Sequence, residues 1–194
     1  MSRPPAGAAV HRADVTEAIR AAVLQELATG GYARVSMEAV ARRAGVGKAA
    51  IYRRWPSKLA LIGDVIGDVL VQPGPPTGHD LQTDLRSLME SFAGLLATPD
   101  LPAIMADLAS EALRNGDLSE RITATVGTPF GQRTLEVVDR AVARGELSAD
   151  LHREAALDLT VSCLYWRVVV RRSTLEPADL DRFVATVTAG LKAL

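Results

Sequence analysis

Apolar residues recur at spacings of three and four along almost the whole chain. No run of strict polar and apolar alternation interrupts them, so the pattern predicts helices and no sheet. The predicted helices are 12–29, 36–43, 47–54, 57–71, 81–97, 101–115, 118–144 with a break near Pro129, 151–173 and 177–193. Proline placement agrees, since 6–55 and 130–176 contain none, whereas Pro73, Pro75 and Pro76 gather in a linker over 72–80. Asn115-Gly116 follows a helical pattern and reads as a helix C-cap rather than a hairpin turn. The expected fold class is all-α, with about nine helices.

Composition narrows the choice further. The chain has 194 residues, enough for one domain or two small ones, and 48% of them are hydrophobic while only 4% are aromatic. That balance favours helix over sheet. The longest apolar stretch, 59–71, is broken by Asp64 and Asp68, so no membrane span is expected. A single cysteine, Cys163, has no partner for an internal disulfide, and no basic stretch followed by an apolar run opens the chain; a cytoplasmic location is expected.

A net charge of −1 taken alone points away from nucleic acid, but the charge is unevenly spread. Residues 1–58 hold ten Arg or Lys against four Asp or Glu, a balance of +6, and 59–194 hold twelve against nineteen, a balance of −7. Screening limits such interactions to about 8 to 10 Å at physiological salt, so a basic end attracts phosphate even in a neutral molecule.

The basic end contains SMEAVARRAGVGKAAIYRRWPSK, residues 36–58, which reads as two short helices around Gly45. Ser36 is placed to cap the first, Gly45 to end it in a left-handed turn, and Ala41 to let the second cross closely. Val40, Val46 and Ile51 are placed to fill the space between them. This spacing describes a helix-turn-helix. The second helix is expected to show Lys48, Ala49, Ala50, Tyr52 and Arg53 outward, with Ile51 and Trp55 inward. Residues near the start of such a helix reach base edges in the major groove of double-stranded DNA. Lys48 and Arg53 can donate to guanine, Ala49 and Ala50 permit close approach, and Tyr52 and Lys58 suit phosphates.

Other chemistries fail on spacing. Arg42 stands at the first glycine position of a G-x-x-x-x-G-K phosphate loop, and Ala49 stands where Ser or Thr is required. His11, His79 and His152 lie far apart, so no metal site and no cofactor is expected, and Cys163 reads as a small core residue.

The segment GVGKAAIYRRWPSK closely resembles the recognition segment of the tetracycline-repressor family of bacterial transcriptional regulators, and the resemblance covers residues 14–71. It implies that Tyr52 and Lys58 contact the DNA backbone and that Lys48 is a base reader. Gly47 departs from the capping Ser or Thr frequent in the family, Arg53-Arg54 is more basic, and Trp55 replaces the usual Phe. The resemblance further implies a body that binds a small effector, in keeping with Ala143-Arg144-Gly145-Glu146-Leu147, and dimerisation through the last two helices. The expected division is a flexible arm over 1–11, a DNA-binding domain of three helices over 12–56, and a body for effector binding and dimerisation over 57–194.

Within the body, residues 151–173 carry two apolar stripes, one of Leu157, Val161, Leu164 and Val168, the other of Leu159, Cys163, Trp166 and Val170. The first, with Val184, Val187 and Leu191 of the last helix, is the expected homodimer face. Two-fold pairing would place the reading helices about 34 to 36 Å apart on a palindromic operator. Large groups among alanines, namely Met89, Phe92, Met105, Leu108, Phe130, Tyr165 and Trp166, are the expected lining of a pocket for a partly apolar effector. Residues 127–131 interrupt a long helix and are placed to line or gate it. The expected function is a dimeric DNA-binding regulator, a repressor released by a small molecule and not an enzyme. The alternative is an all-helical carrier or enzyme with a vestigial helix-turn-helix.

Overall fold

The structure, a computed structural model, describes residues 6–70 and 76–194, with side chains from residue 14 onward. Residues 1–5 of the expected arm and 71–75 of the expected linker lie outside the described residues. Among the described residues all regular structure is helical: α1 (Ala6–Arg34), α2 (Met37–Arg43), α3 (Lys48–Arg54), α4 (Lys58–Val69), α5 (Leu81–Leu96), α6 (Leu101–Ala112), α7 (Gly116–Ile122), α8 (Thr128–Ala143), α9 (Arg153–Tyr165) and α10 (Pro177–Leu191). A π-helical turn, Thr123–Gly127, joins α7 to α8, and another, Trp166–Val170, extends α9. With α7 and α8 counted as one interrupted rod, the described residues form nine rods. Among them no single helix is long and apolar enough to cross a membrane.

The chain divides into two units, Met1–Val69 with Asp107–Ile122, and Leu70–Ala106 with Thr123–Leu194. The first unit therefore reaches beyond the expected 12–56. Its α4 buries Leu61, Ile62, Val65 and Ile66 and packs against α1 and α7, so apolar burial draws these later residues into it.

Inside this unit α1 runs five residues past its expected end. Gly30 stays helical, and the break falls at Gly31, whose φ of 67° and ψ of 172° suit glycine. A Cβ there would lie 2.6 Å from Oδ1 of Asp107, so a side chain is excluded by contact as well. Beyond the break the Tyr32 N–H donates to Asp107 Oδ2 at 2.7 Å. Asn115 also departs from expectation. Since α6 has already ended at Ala112, its side chain accepts from the Leu118 N–H at 3.2 Å and caps the start of α7 instead of the end of α6.

The second unit is built on α5, α8, α9 and α10, whose buried faces include Leu85, Met89, Val138, Ala156, Leu164 and Val184. The π-helical turn precedes Pro129, which lacks an N–H and sits in the first turn of α8 where no helical donor is missed. Asp84 is the buried carboxylate of α5, 1% exposed. It accepts from the Gly78 N–H at 2.8 Å, from Arg140 Nε at 3.3 Å and from Arg144 Nη1 at 3.2 Å. Arg140 also donates to the Gly78 carbonyl at 2.9 Å, and Glu146 accepts from the Leu81 N–H at 2.8 Å. The segment entering α5 is thereby fastened to the end of α8. Asp84→Ala should lower unfolding free energy by about 2 to 3 kcal/mol, because two guanidinium groups lose one of their acceptors and the part-buried Gly78 N–H loses its partner. Urea denaturation measures this, and an unchanged midpoint would show that the network does not stabilise the fold.

Candidate nucleic-acid interface

The turn between α2 and α3 follows from local chemistry. Ser36 Oγ accepts from the Ala39 N–H at 3.1 Å and caps α2. Gly45 takes a φ of 66°, while the Val46 N–H returns to the Ala41 carbonyl at 3.0 Å and closes the helix end. Val40 and Ile51 are fully buried and Ala41 nearly so, with Val46 half-buried beside them. Gly47 begins α3 without a side-chain cap.

On α3, Lys48, Ala49, Tyr52 and Arg53 are exposed and Ala50 is half-buried. Ile51 and Trp55 point inward, and Trp55 Nε1 donates to Asp64 Oδ2 at 2.8 Å, tying the end of α3 to α4. Arg54 donates to Thr16 Oγ1 at 2.7 Å and lies 4.5 Å over the Trp55 ring. Lys58 is half-buried. Its ammonium donates to the Tyr32 carbonyl at 3.0 Å and sits 4.3 Å over the Tyr32 ring, so its position is tied to the break at Gly31. Burial, followed by the charges of Glu111 and Asp117, raises the Tyr32 phenol above its ordinary range.

Among the described residues no group pairs with Arg53. Lys48 differs, since its ammonium forms an ion pair with Glu38, and the Tyr52 hydroxyl donates to the same carboxylate at 3.5 Å. The Lys48 contact holds the Glu38 carboxyl below the usual range, and Glu38 raises the Lys48 ammonium in return. Glu38 is absent from the residues read out of the sequence. In the linear pattern it is an ordinary acidic residue in the first turn of a helix, and nothing in the spacing reveals that it reaches Lys48 ten residues on.

The expected pocket residues are dispersed. Met89 and Phe92 are buried in the core of the second unit, with the Phe92 and Phe130 ring centroids 5.4 Å apart, and Met105, Phe130 and Tyr165 are half-buried against it. Leu108 belongs to the first unit, and Trp166 is 59% exposed. None of the seven lines the cavity of about 880 Å³ in the second unit. That cavity lies between the end of α5, the start of α6, the π-helical turn after α9 and the start of α10. It is walled by Ala93, Leu96, Ala97, Val168, Val169, Leu175 and Leu180, with Asp100, Arg172 and Glu176 also on its lining. Gly94 lines it too, and a Cβ there would meet nothing within 4 Å. Residues 127–131, expected as an interruption, are the end of the π-helical turn and the start of α8, and contribute no residue to this lining.

The stripe expected to form a dimer face is placed differently as well. Leu164, Val184, Val187 and Leu191 are buried inside a single chain, and Leu157, Val161 and Val168 are half-buried. Their area is already removed from water, so those four have no surface to give a partner. The other stripe faces outward, with Trp166 and Val170 at 59% and 50% exposure and Leu159 and Cys163 half-covered. Burial pushes the Cys163 thiol up, which keeps it protonated. His152 Nδ1 caps α9 by accepting from the Ala155 N–H at 3.2 Å, and His11 has its side chain outside the described residues. Among the described residues no three His, Cys, Asp or Glu are grouped to hold a metal.

A capped α2, a left-handed turn and an exposed basic α3 are the parts of a helix-turn-helix DNA-binding protein. Residues 19–65 match the family of bacterial regulatory proteins, tetR family, and residues 75–187 match the tetracyclin repressor-like C-terminal domain. The DNA-binding transcriptional repressor TetR of Mycobacteroides abscessus is 31% identical over 177 residues, 88% of this chain and 90% of its own. The HTH-type transcriptional regulator YdeS of Bacillus subtilis is 26% identical over 183 residues, 91% of this chain and 89% of its own. The transcriptional regulator FadR from Bacillus subtilis, solved in complex with stearoyl-CoA, shares the fold with a TM-score of 0.72 at 16% identity, covering 92% of this chain and 98% of that one. The chain belongs to the tetR family: it is a helix-turn-helix transcription regulator that binds DNA, and not an enzyme.

Proposed function

We propose that two copies of this chain bind a palindromic operator through α3 and repress transcription until a partly apolar small molecule, bound in the second unit, releases the DNA. The observation that carries the reading is the outer face of α3, where Lys48, Tyr52 and Arg53 stand exposed beside small Ala49. Arg53 and Lys48 are the base readers of this proposal, Ala49 and Ala50 allow close approach, and Tyr52 and Lys58 meet phosphates. Ser36 acts by capping α2 under that surface.

Dimerisation is supported by the outward stripe of Leu159 and Cys163 on α9 and Trp166 and Val170 in the π-helical turn that follows it, with Ala185 and Ala189 exposed on α10. Exposed Trp and Val at helical spacing lose water favourably against a copy of themselves. Effector binding is supported by the volume and apolar walls of the cavity, and by the stearoyl-CoA found in the related FadR. An effector that binds the released state tenfold better than the DNA-bound state contributes about 1.4 kcal/mol of coupling. The acidic residues of 59–194 repel phosphate and keep DNA on the α3 side.

Fluorescence anisotropy with duplex DNA across a salt series tests the core of the reading. Lys58→Ala should weaken binding to all sequences alike and make the log–log salt slope shallower by about one. Arg53→Ala should relax preference at particular base pairs by about 1 to 3 kcal/mol. Binding without salt dependence, or altered sequence preference from Lys58→Ala, would refute the assigned roles.

Trp166→Glu should convert the dimer to folded monomers by light scattering, with helical content retained; a persisting dimer would exclude the α9 stripe.

In a screen of apolar small molecules for release of bound duplex, hits on the wild type should fail on Gly94→Leu, which adds bulk at the cavity lining. Hits that act equally on both proteins would place the effector elsewhere.

A further inference from the structure

Glu38 is an acid on a surface that has to approach a polyanion. Its carboxylate pairs with Lys48 and accepts the Tyr52 hydroxyl at 3.5 Å, so it touches two residues of the outer face of α3 while itself belonging to α2. The pair stands in solvent, with side-chain exposures of 56% for Lys48 and 47% for Glu38. Such a pair adds little to folding, and α2 already has its cap in Ser36. At a surface whose partner is DNA, the carboxylate also weakens binding to any sequence, since it repels phosphate and occupies a cation. Its place in the first turn of α2 favours the helix start only modestly, and a general cost to affinity at the DNA-facing surface calls for a selective gain in return.

The gain follows from what an ammonium beside a carboxylate presents, a donor next to an acceptor. Across the major groove a G·C pair offers guanine N7 and O6 as adjacent acceptors, then the cytosine N4 amino group as a donor. An A·T pair offers acceptor, donor, acceptor. An ammonium bridging two adjacent acceptors with a carboxylate on the far donor matches the first order. Against the second, the carboxylate on adenine N6 is flanked by acceptors on both sides and is repelled by them.

We propose that Lys48 and Glu38 read one G·C pair as a unit, Lys48 donating to guanine N7 and O6 while Glu38 accepts from cytosine N4–H, which makes Glu38 a specificity-determining residue. The inference rests on α3 being the reading helix. On DNA without a G·C pair at that position the carboxylate stays on the lysine, and the reader is withheld from the backbone. The hydrogen bond between the two groups, reinforced by their opposite charges, lowers Glu38 and raises Lys48, so the pair stays in its charged form at neutral pH.

The test begins with selection of bound duplexes from a random library by the wild-type protein. In the selected duplex each G·C pair is changed in turn to A·T, and dissociation constants are measured by anisotropy for the wild type, Glu38→Ala and Lys48→Ala. One position in each half of the palindrome should cost the wild type tenfold or more, and the same change should cost each variant less than about threefold. Retention of the full wild-type penalty in either variant overturns the proposal, because a joint reader cannot survive the loss of one member. If the wild type binds no duplex at all, the reading of α3 itself fails, a result distinct from an operator found with its G·C penalty untouched by Glu38→Ala.

Discussion

The orientation of α3 depends on the left-handed turn at Gly45 and the burial of Val40 and Ile51 beneath it. A helix of seven residues does not hold together alone in water, so its existence and its direction come from tertiary packing. Ile51 anchors the inner side, Trp55 anchors the end, and the indole N–H is fixed on Asp64 of α4. Anchoring every inward group leaves the outer positions free to be chosen for DNA alone, which is how one scaffold serves many operators. The tetR family membership and the outer face of α3 are in this sense separate facts, the first set by the packing and the second by four or five side chains.

Charge counted along the sequence overstates what α3 and its neighbours offer a phosphate backbone. Of the ten cations in residues 1–58, Arg20 is paired with Asp68, Arg43 with Glu26 at 2.7 Å, and Lys48 with Glu38, while Arg54 is turned onto Thr16 and the Trp55 ring. Lys58 is held on Tyr32. The +6 balance already counts Glu26 and Glu38, so of these pairs only Arg20–Asp68 lowers it further, and Arg53 carries weight as an exposed cation on the reading helix. A protein near zero net charge thus approaches DNA with a small number of placed charges rather than a diffuse basic field.

Much of this architecture was legible in the sequence because it rests on local signals. Ser36, Gly45 and the triplet of Val40, Val46 and Ile51 announce the helix-turn-helix by spacing, whereas the break expected near Pro129 falls upstream as the π-helical turn Thr123–Gly127, and α8 begins at Thr128. What was not legible depends on distant partners. Gly31 breaks α1 where it does because Asp107, remote in sequence, supplies an acceptor for Tyr32. Periodicity shows that α9 has two apolar stripes but not which of them the chain keeps for itself, and Leu164 proved to be core while Trp166 faces out. The cavity was missed for a different reason: large side chains fill space, and its walls are set by small ones such as Ala93, Gly94 and Ala97.

Gly190 on α10 faces Leu159 on α9, and a Cβ at that position would come within 2.7 Å of Leu159 Cδ2. The distance between these two helices is thus set by a missing methyl group. Under the proposed pairing the same two helices define the two-fold axis, so a small change at Gly190 would tilt one protomer against its partner and alter the reach between the two reading heads. Spacing between operator half-sites can then drift in evolution through a residue far from DNA, while the alphabet of bases being read stays as it is.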